Sequence, residues 1–384
     1  MLEIGQYESY FFLYIMAVLL IPAVILSFLE KSTKIYSVLL TIVMIVIILG
    51  DTRSIAMIGI FIIWHMGNIL IYRNIREKNS SVWVYRFFLA LSILPLAISK
   101  LSGLFETKVI GFVGISYLSF RAIQMIIEIY DGAIDDVNVL DTFYFILFFP
   151  TLTSGPIDRS RRFEEEINSK VSREEYIGEY FIPGIYKIVM GIVYKFVIAT
   201  IINNYWVTQI ILHKGWSSLL LYMYGYSFYL FFDFAGYTFF AIGTAKLLKV
   251  SPPENFNKPF ISKDIKEFWT RWHISLSRWF GDYIFSRFVL DSMRKKRFKN
   301  RNTASHVAQM ITMTTMGIWH GLTWYYIIYG IYHGILLVLT DIYQKKSKFY
   351  KKHKKNKVYG YVSMFVTFHI VCFGFLIFSG YFAK

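Results

Sequence analysis

The sequence predicts an all-α polytopic membrane protein, and three observations lead to that class. Of its 384 residues, 55% are hydrophobic and only 17% are charged, whereas soluble domains have about 45–50% apolar and about 25% charged residues. Mean hydropathy is +0.46. Aromatic residues amount to 19%, as expected where long membrane–water interfaces are present. This composition excludes a soluble enzyme, a disordered chain and a secreted disulfide scaffold.

Apolar stretches that approach the length of a membrane crossing recur along the chain. A helix that crosses about 30 Å of hydrocarbon needs roughly 20 mostly apolar residues. The clearest stretches are residues 10–29, 35–49, 55–71, 82–98, 109–129, 181–211, 219–248, 307–319, 322–339 and 359–378, with residues 143–152 marginal. We therefore predict about ten or eleven transmembrane helices. The first lacks a basic start and a small-residue cleavage site, which indicates a retained helix rather than a signal peptide.

Two basic loops carry most of the formal net charge of +16. Residues 294–301 contain six Lys or Arg, and residues 345–357 contain eight. Such loops between apolar segments are typical of the cytoplasmic side of a membrane protein and do not indicate a nucleic-acid-binding face. Residues 1–10 have no Lys or Arg, whereas Lys31 and Lys34 follow the first apolar stretch. We therefore expect a multi-pass plasma-membrane protein with an extracellular N-terminus.

Residues 251–302 depart from the apolar pattern because they are too polar to face lipid and too aromatic for a free loop. Polar backbone at membrane depth is tolerated only where it is buried in protein or lines water. We expect short re-entrant or interfacial helices here, on the inner side. No long linker or repeat is visible, so residues 1–384 are interpreted as one integral-membrane domain. Its segments are N-terminal spans (1–150), a catalytic core (151–343), and a basic loop with the last span (344–384).

Two histidines lie inside apolar segments, where ionisable residues are functional candidates by default. His320 occurs in Gly317-Ile318-Trp319-His320-Gly321, and His333 in Gly330-Ile331-Tyr332-His333-Gly334. The glycines four residues apart suit closely packed membrane helices. Thirteen positions separate the histidines, which places them roughly 140° apart on one helix and argues against a metal pair. For a single buried imidazole, a structural and a functional role both stay open.

Two further patterns have structural as well as functional interpretations. On one continuous helix, Trp269, His273 and Ser277 stack at successive turns, although an interfacial aromatic belt with snorkelling arginines explains the same residues. Asp233 lies among aromatic residues, so a structural ion pair, for example with Arg271, is favoured over a catalytic acid.

The single cysteine, Cys372, lies in a wholly apolar run and is interpreted as a small hydrophobic residue. No internal disulfide is possible.

Taken together, these residues resemble the membrane-bound O-acyltransferases, and within that family the members that transfer D-alanine in Gram-positive bacteria. The resemblance rests on Ser154-Gly155-Pro156-Ile157 and on residues 232–237, 268–279 and 317–324. The first half is similar only as a series of apolar stretches. One departure is Gly281, where the family pattern Trp-Phe-Arg-Asp-Tyr has an arginine.

The resemblance implies a fold of membrane helices around a central tunnel, with catalytic His320 and a second functional histidine, His273. It implies no bound cofactor and no metal. D-Alanine would come from the phosphopantetheine thioester of an acidic cytoplasmic carrier protein and pass toward teichoic or lipoteichoic acid hydroxyls outside, with other membrane subunits as further partners. His320 would be the general base. The residues expected to line or support the tunnel are Trp319, Trp269, Trp272, Ser277, Asp233 and Arg271.

An apolar group beside the first basic loop predicts where an acidic carrier would dock. Cations aid encounter and an apolar contact holds the complex, although the positive-inside rule alone also explains the charges. The predicted docking residues are Phe288, Val289, Leu290, Arg294, Lys295, Lys296 and Arg297. Two other functions stay open, namely O-acetylation of an exported polysaccharide and transport or lipid flipping. A transporter usually shows internal symmetry, whereas the unusual polar residues here crowd into residues 230–335.

Overall fold

The computed structural model describes residues 5–102, 111–211 and 215–383, and these residues form helices joined by short loops. Within these ranges, the only β-pairing is an isolated antiparallel bridge between Phe256 and Trp272. The predicted all-α class is therefore confirmed. The helices up to the middle of the chain are α1 Tyr10–Phe28, α2 Lys34–Leu49, α3 Thr52–Lys78, α4 Val82–Ser102, α5 Ile115–Tyr130, α6 Val139–Leu147, α7 Ser160–Asn168 and α8 Arg173–Ile210.

The second half contains long helices that alternate with short ones. These are α9 Trp216–Leu247, α10 Ile265–Arg271, α11 Ile274–Phe280, α12 Arg287–Arg294, α13 Arg301–His320, α14 Trp324–Lys346, α15 Lys348–His353 and α16 Lys357–Phe378. A π-helical segment, Gly281–Ser286, joins α11 to α12. The residues between α9 and α13 thus form short helices, as their mixed polar and aromatic composition predicts.

Seven helices in the described ranges are long and apolar enough to cross a membrane, which confirms a multi-pass membrane protein. They are α1, α3, α4, α8, α9, α14 and the segment Lys357–Ala383, which contains α16. Two other predicted spans coincide with shorter apolar helices, Lys34–Leu49 and Val139–Thr151. The predicted spans 109–129 and 307–319 fall on α5 and α13, which are not among the seven; residues 109 and 110 lie outside the described residues.

The contacts divide the chain into two units, and each is described by itself. Unit 1 comprises residues 1–192 and 236–253, and unit 2 comprises residues 193–235 and 254–384. The expectation of a single domain stays a prediction.

A buried arginine organises part of unit 1. Arg121 on α5 is 1% exposed, and its guanidinium donates to the carbonyl oxygens of Phe145 (3.0 Å), Ile146 (2.9 Å) and Thr151 (2.6 Å). These carbonyls lie at and just beyond the C-terminal end of α6, where the helix itself supplies no donors. The arginine therefore satisfies backbone groups that would otherwise be buried without a hydrogen bond.

The segment 149–156, which contains the Ser-Gly-Pro pattern, is held by side chains from distant parts of unit 1. Gln6 donates to the carbonyl oxygen of Phe149 at 2.6 Å. Its amide oxygen accepts from the hydroxyls of Thr153 and Tyr237, both at 2.9 Å. The Ser154 amide, at the start of the Ser-Gly-Pro pattern, donates to the Tyr237 hydroxyl at 3.4 Å, so the pattern joins this polar network, which gives it a structural role.

Cys372 packs inside unit 2, as its apolar surroundings in the sequence indicate. Its side chain is fully buried and belongs to a hydrophobic cluster with Val207, Tyr222, Met223 and Leu376.

Candidate active site

His320 is the last residue of α13 and lies where three helices of unit 2 meet. The next residue, Gly321, has an extended backbone (φ 179°, ψ 163°), so the helix ends there. The imidazole is partly buried. Its ring centroid lies 6.1 Å from Tyr326, 6.3 Å from Tyr329 and 5.0 Å from Phe378. Because these rings belong to α14 and α16, His320 is held in an aromatic surround at a helix end.

His273 lies between α10 and α11 in a left-handed backbone conformation (φ 44°, ψ 53°). This conformation is unfavourable for a residue with a Cβ atom, and such strain occurs often at functional sites. Hydrogen bonds between the residues that follow His273 and a distant segment of the chain maintain this left-handed conformation. The amide of Ile274 donates to the carbonyl oxygen of Asn255 at 3.0 Å. The Asn255 side-chain oxygen accepts from the Ser275 hydroxyl at 2.6 Å.

The side chain of His273 is 4% exposed, and its ring is edge-on to Phe234 at 4.8 Å. Burial, together with the nearby His320, holds the pKa of His273 well below its ordinary value. The imidazole is therefore neutral at pH 7. Its Nε2 atom makes no hydrogen bond to any described residue. A neutral ring with this nitrogen available has one hydrogen bond to offer a ligand, as donor or acceptor according to its tautomer.

His320 lies close enough to His273 to contribute, after burial, to the lowered pKa of that imidazole, so the structure brings the two predicted functional histidines near each other. They come from different elements of unit 2, a strained turn and a helix end. Their proximity is compatible with joint action on one substrate. It follows from the tertiary fold, since 47 positions separate them in the sequence.

His333 has a different environment, although its pentapeptide is a near copy of that around His320. It is fully buried on α14, with ring centroids 5.2 Å from Trp269 and 4.6 Å from Tyr329. A Cβ atom on Gly374 of α16 would lie 2.6 Å from its Nε2 atom, so this side of the ring is closely packed. The packing favours a structural role for His333.

In the described part of the chain, no three His, Cys, Asp or Glu side chains form a candidate metal site.

The predicted stack of Trp269, His273 and Ser277 on one helix is wrong. Helix α10 ends at Arg271, Trp272 is extended and His273 is left-handed, so the three residues do not share a helix. Trp269 packs against His333 instead, and the Ser277 hydroxyl donates to the carbonyl oxygen of Trp272 at 3.3 Å.

Other predicted support residues take structural places. Trp272 packs on Phe375 of α16 at 4.7 Å. Trp319 precedes His320, and the centroids of their two rings are 4.7 Å apart. Gly281 has open space around it, because a Cβ atom there would meet nothing within 4 Å.

The suggested ion pair between Asp233 and Arg271 is also wrong. Asp233 on α9 pairs with Lys195 on α8, with 2.5 Å between Oδ1 and Nζ. Arg271 pairs with Glu267, one helical turn earlier on α10, at 2.8 Å. The nearby i, i+4 partner satisfies the arginine locally. Asp233 thus has the structural ion pair that its surroundings in the sequence favoured, but with another cation.

The predicted docking residues lie on and just after α12. Leu290 is 65% exposed and Met293 is 43% exposed, whereas Val289 is only 8% exposed and faces the protein. Residues three apart share a helix face and adjacent residues do not. Val289 is therefore wrong as a contact residue, and Leu290 with Met293 forms the exposed apolar surface. Phe288 is partly buried beneath the Arg297 guanidinium, 5.9 Å from its ring.

The positive charge beside this surface is partly compensated. Asp291 pairs with Lys295 at 3.0 Å and with Arg297 at 2.6 Å. Arg294 and Lys296 are exposed as well. The four predicted cations thus directly follow Met293 in the chain and are exposed, and one carboxylate, that of Asp291, pairs with two of them.

The aromatic residues that surround the two histidines were not predicted from the sequence. Tyr326, Tyr329 and Phe378 contact His320, and Phe234 contacts His273. A signal was present in α14, because Tyr326, Tyr329 and His333 recur at the three- and four-residue spacing of one helix face. No comparable signal marked Phe234 or Phe378.

Comparison with known proteins adds a family and relatives to this geometry. The model of the membrane-bound O-acyltransferase family, MBOAT, matches residues 25–382. The chain is 42% identical to a teichoic acid D-alanyltransferase of Bacillus subtilis, over 97% of this chain and 98% of that protein. It is 41% identical to one of Streptococcus thermophilus, over 99% and 96%. A probable alginate O-acetylase AlgI of Azotobacter vinelandii is 32% identical, over 61% of this chain and 45% of that protein.

Proposed function

Because the chain belongs to the membrane-bound O-acyltransferase family and is an acyltransferase, we propose that it transfers D-alanine toward teichoic acid. One observation carries this proposal: relatives named teichoic acid D-alanyltransferases are 41–42% identical over almost the whole of both chains. The alginate O-acetylase relative matches a smaller share of each chain.

The proposed donor is a D-alanyl thioester on the phosphopantetheine arm of an acidic carrier protein at the cytoplasmic face. The exposed pair Leu290 and Met293 supports this, since an apolar contact surrounded by cations suits a small acidic partner. No cofactor belongs to the chain itself in this proposal. The arm arrives with the carrier protein and leaves with it after transfer.

The proposed acceptor is a hydroxyl group on the way to teichoic or lipoteichoic acid, on the outer side of the plasma membrane. The absence of Lys and Arg from residues 1–10 supports an extracellular N-terminus, and the two basic loops support a cytoplasmic location for residues 294–301 and 345–357. A D-alanyl ammonium crosses hydrocarbon at a cost of several kcal/mol. Reaction inside a protein tunnel open to both faces avoids that cost.

His320 is the proposed general base. Its imidazole takes the proton of the acceptor hydroxyl while the hydroxyl oxygen attacks the thioester carbonyl carbon. The new carbon–oxygen bond forms, the carbon–sulfur bond breaks, and the proton passes to the departing thiolate sulfur. An ordinary imidazole pKa near 6.5 suits this proton transfer at neutral pH. No covalent enzyme intermediate and no metal is needed.

His273 is proposed to orient the substrate by one hydrogen bond from its ring. The neutral state and the unbonded Nε2 atom support this role over a second proton transfer. The thioester carbonyl oxygen, which becomes more negative during attack, is the natural acceptor of a hydrogen bond from this nitrogen.

Reconstitution tests the proposal directly. The full-length protein in lipid vesicles receives carrier protein loaded with radiolabelled D-alanine, and the label is followed into the lipid-linked acceptor. Transfer that needs both the protein and the loaded carrier supports the proposal. Label that stays on the carrier, together with transfer from an acetyl donor, would instead assign O-acetylation, which the alginate O-acetylase relative makes the second candidate.

A further inference from the structure

The basic loop at residues 345–357 contains seven lysines whose charge is not compensated. Lys345 pairs with Asp341 at 2.7 Å. The other seven side chains are exposed, and within the described ranges no ion pair or hydrogen bond is found for their ammonium groups. They are Lys346, Lys348, Lys351, Lys352, Lys354, Lys355 and Lys357.

This loop cannot move far from the membrane. It connects Trp324–Lys346 to Lys357–Ala383, both of which are long and apolar enough to cross the bilayer. Six of its residues form α15, Lys348–His353, which is about 9 Å long. With so short a connection between two spans, the lysine ammonium groups are kept close to the membrane surface, where charge attraction is effective because it is screened only over a Debye length of ~8 Å.

Aromatic residues near the basic loop also indicate a position at the membrane surface. Tyr343, Tyr350 and Tyr359 form a cluster, with ring centroids 5.6 Å apart for the first two and 6.3 Å for the last two. Phe349 on α15 is 58% exposed. Tyrosine and other aromatic rings concentrate at the membrane–water interface. The cluster is therefore suited to keep α15 at the headgroup level.

We propose that residues 345–357 bind the phosphate groups of anionic phospholipids in the leaflet that this loop faces. The two basic loops then have different partners. At residues 294–301, Asp291 compensates part of the charge beside exposed Leu290 and Met293, which suits a protein. At residues 345–357 the charge is uncompensated and lies between two membrane spans, which suits an anionic lipid surface.

Hydrogen exchange of the full-length protein in nanodiscs tests this. One set of discs contains phosphatidylcholine alone, and the other contains phosphatidylcholine and phosphatidylglycerol in equal amounts. We expect the amides of α15 to exchange about tenfold more slowly in the second set. The difference should disappear at high salt, because salt screens the attraction.

The charge variant replaces Lys351, Lys352, Lys354 and Lys355 with Gln, and the matched control replaces Arg294, Lys295, Lys296 and Arg297 with Gln. All eight side chains are exposed, so neither variant should disturb the fold, and equal melting temperatures check this. The slower exchange should disappear in the charge variant and persist in the control. Equal exchange in both lipids, or slower exchange that survives in the charge variant, overturns the proposal. So does protection of α15 by acidic carrier protein alone in phosphatidylcholine discs.

Discussion

Gly317 and Gly330 lie against each other where α13 crosses α14. A Cβ atom on either glycine would lie 3.1 Å from the Cα atom of the other. Small residues at membrane helix contacts permit this approach of two backbones. Gly317 lies three residues before His320, and Gly330 directly follows Tyr329, which contacts the imidazole. The crossing therefore determines where the proposed base meets its aromatic surround.

Substitution of Gly317 tests the importance of this crossing. Gly317→Ala places a methyl group against the Gly330 backbone and the Tyr326 carbonyl oxygen, and overpacking of this kind costs about 1–3 kcal/mol. We expect a lower melting temperature in detergent and reduced acyl transfer. Gly281→Ala is the matched control, because nothing lies within 4 Å of the added Cβ atom. Equal melting temperatures of the two variants would mean that α13 and α14 accommodate the added methyl group without loss of stability.

Alanine substitution distinguishes the two pentapeptide histidines. General-base catalysis typically contributes 10²–10⁴-fold, so His320→Ala should reduce D-alanyl transfer by about that factor while carrier binding persists. His333→Ala should reduce transfer much less and lower the melting temperature instead, since it removes a fully buried ring. Single-turnover transfer by the purified variants, each shown to bind loaded carrier, gives the comparison. A His320→Ala protein with near wild-type turnover would remove this mechanism.

Stability should depend on pH through His273. The folded protein keeps this imidazole neutral, because burial and His320 hold its pKa well below the ordinary value near 6.5. In the unfolded chain it takes up a proton below about pH 6.5. The unfolded state then binds more protons, so stability falls as pH decreases below that value, by at most about 1.4 kcal/mol per pH unit.

Melting temperatures between pH 8 and pH 5, in steps, check this expectation. The variant His273→Gln should show a shallower loss of stability toward acid than the wild type. Parallel profiles for wild type and His273→Gln would contradict a neutral, buried His273.

Asp341 links three helices of unit 2. Its carboxylate accepts from Lys266 on α10 at 2.6 Å, from His306 on α13 at 2.7 Å and from Lys345 at 2.7 Å. The carboxylate is 9% exposed, but the two lysines are 34% and 48% exposed, and solvent screening weakens their part. Asp341→Asn should cost about 1–3 kcal/mol.

Thermal unfolding in detergent measures that cost, and Asp291→Asn is the matched control. Asp291 also pairs with two cations, but its side chain is 41% exposed, so its loss should change stability by less than about 1 kcal/mol. Similar losses of stability in both variants would show that the burial of Asp341 does not increase the contribution of its ion pairs to stability.

Adjacent substitutions on α12 test the carrier-binding surface. Leu290→Asp places a charge on an exposed side chain and should abolish carrier binding while the melting temperature stays near that of the wild type. Val289→Asp buries the carboxylate and should destabilise the fold. Pull-down of loaded carrier, with melting as the control, separates the two effects. Undiminished binding by Leu290→Asp would place the docking surface elsewhere.

The sequence by itself determined the class of this protein and its principal candidates. Long apolar stretches predict membrane helices without knowledge of any contact, because the cost of exposing polar groups to lipid applies residue by residue. A histidine inside such a stretch is conspicuous for the same reason, so the sequence marked His320 and His333 as candidates, and the family resemblance selected His320. The run of eight lysines in residues 345–357 was equally visible.

Only the tertiary structure decided how these residues meet. The sequence permits one helix through Trp269, His273 and Ser277, but pairing with the distant residues 255–257 breaks it and holds His273 in a strained turn. Likewise, Lys195 rather than Arg271 reaches Asp233, and Val289 turns inward while Leu290 faces outward. Each outcome depends on contacts between residues far apart in the chain or on the rotation of a short helix. Local composition reveals neither the long-range contacts nor the rotation of a short helix. The geometry of the site is therefore known only from the fold.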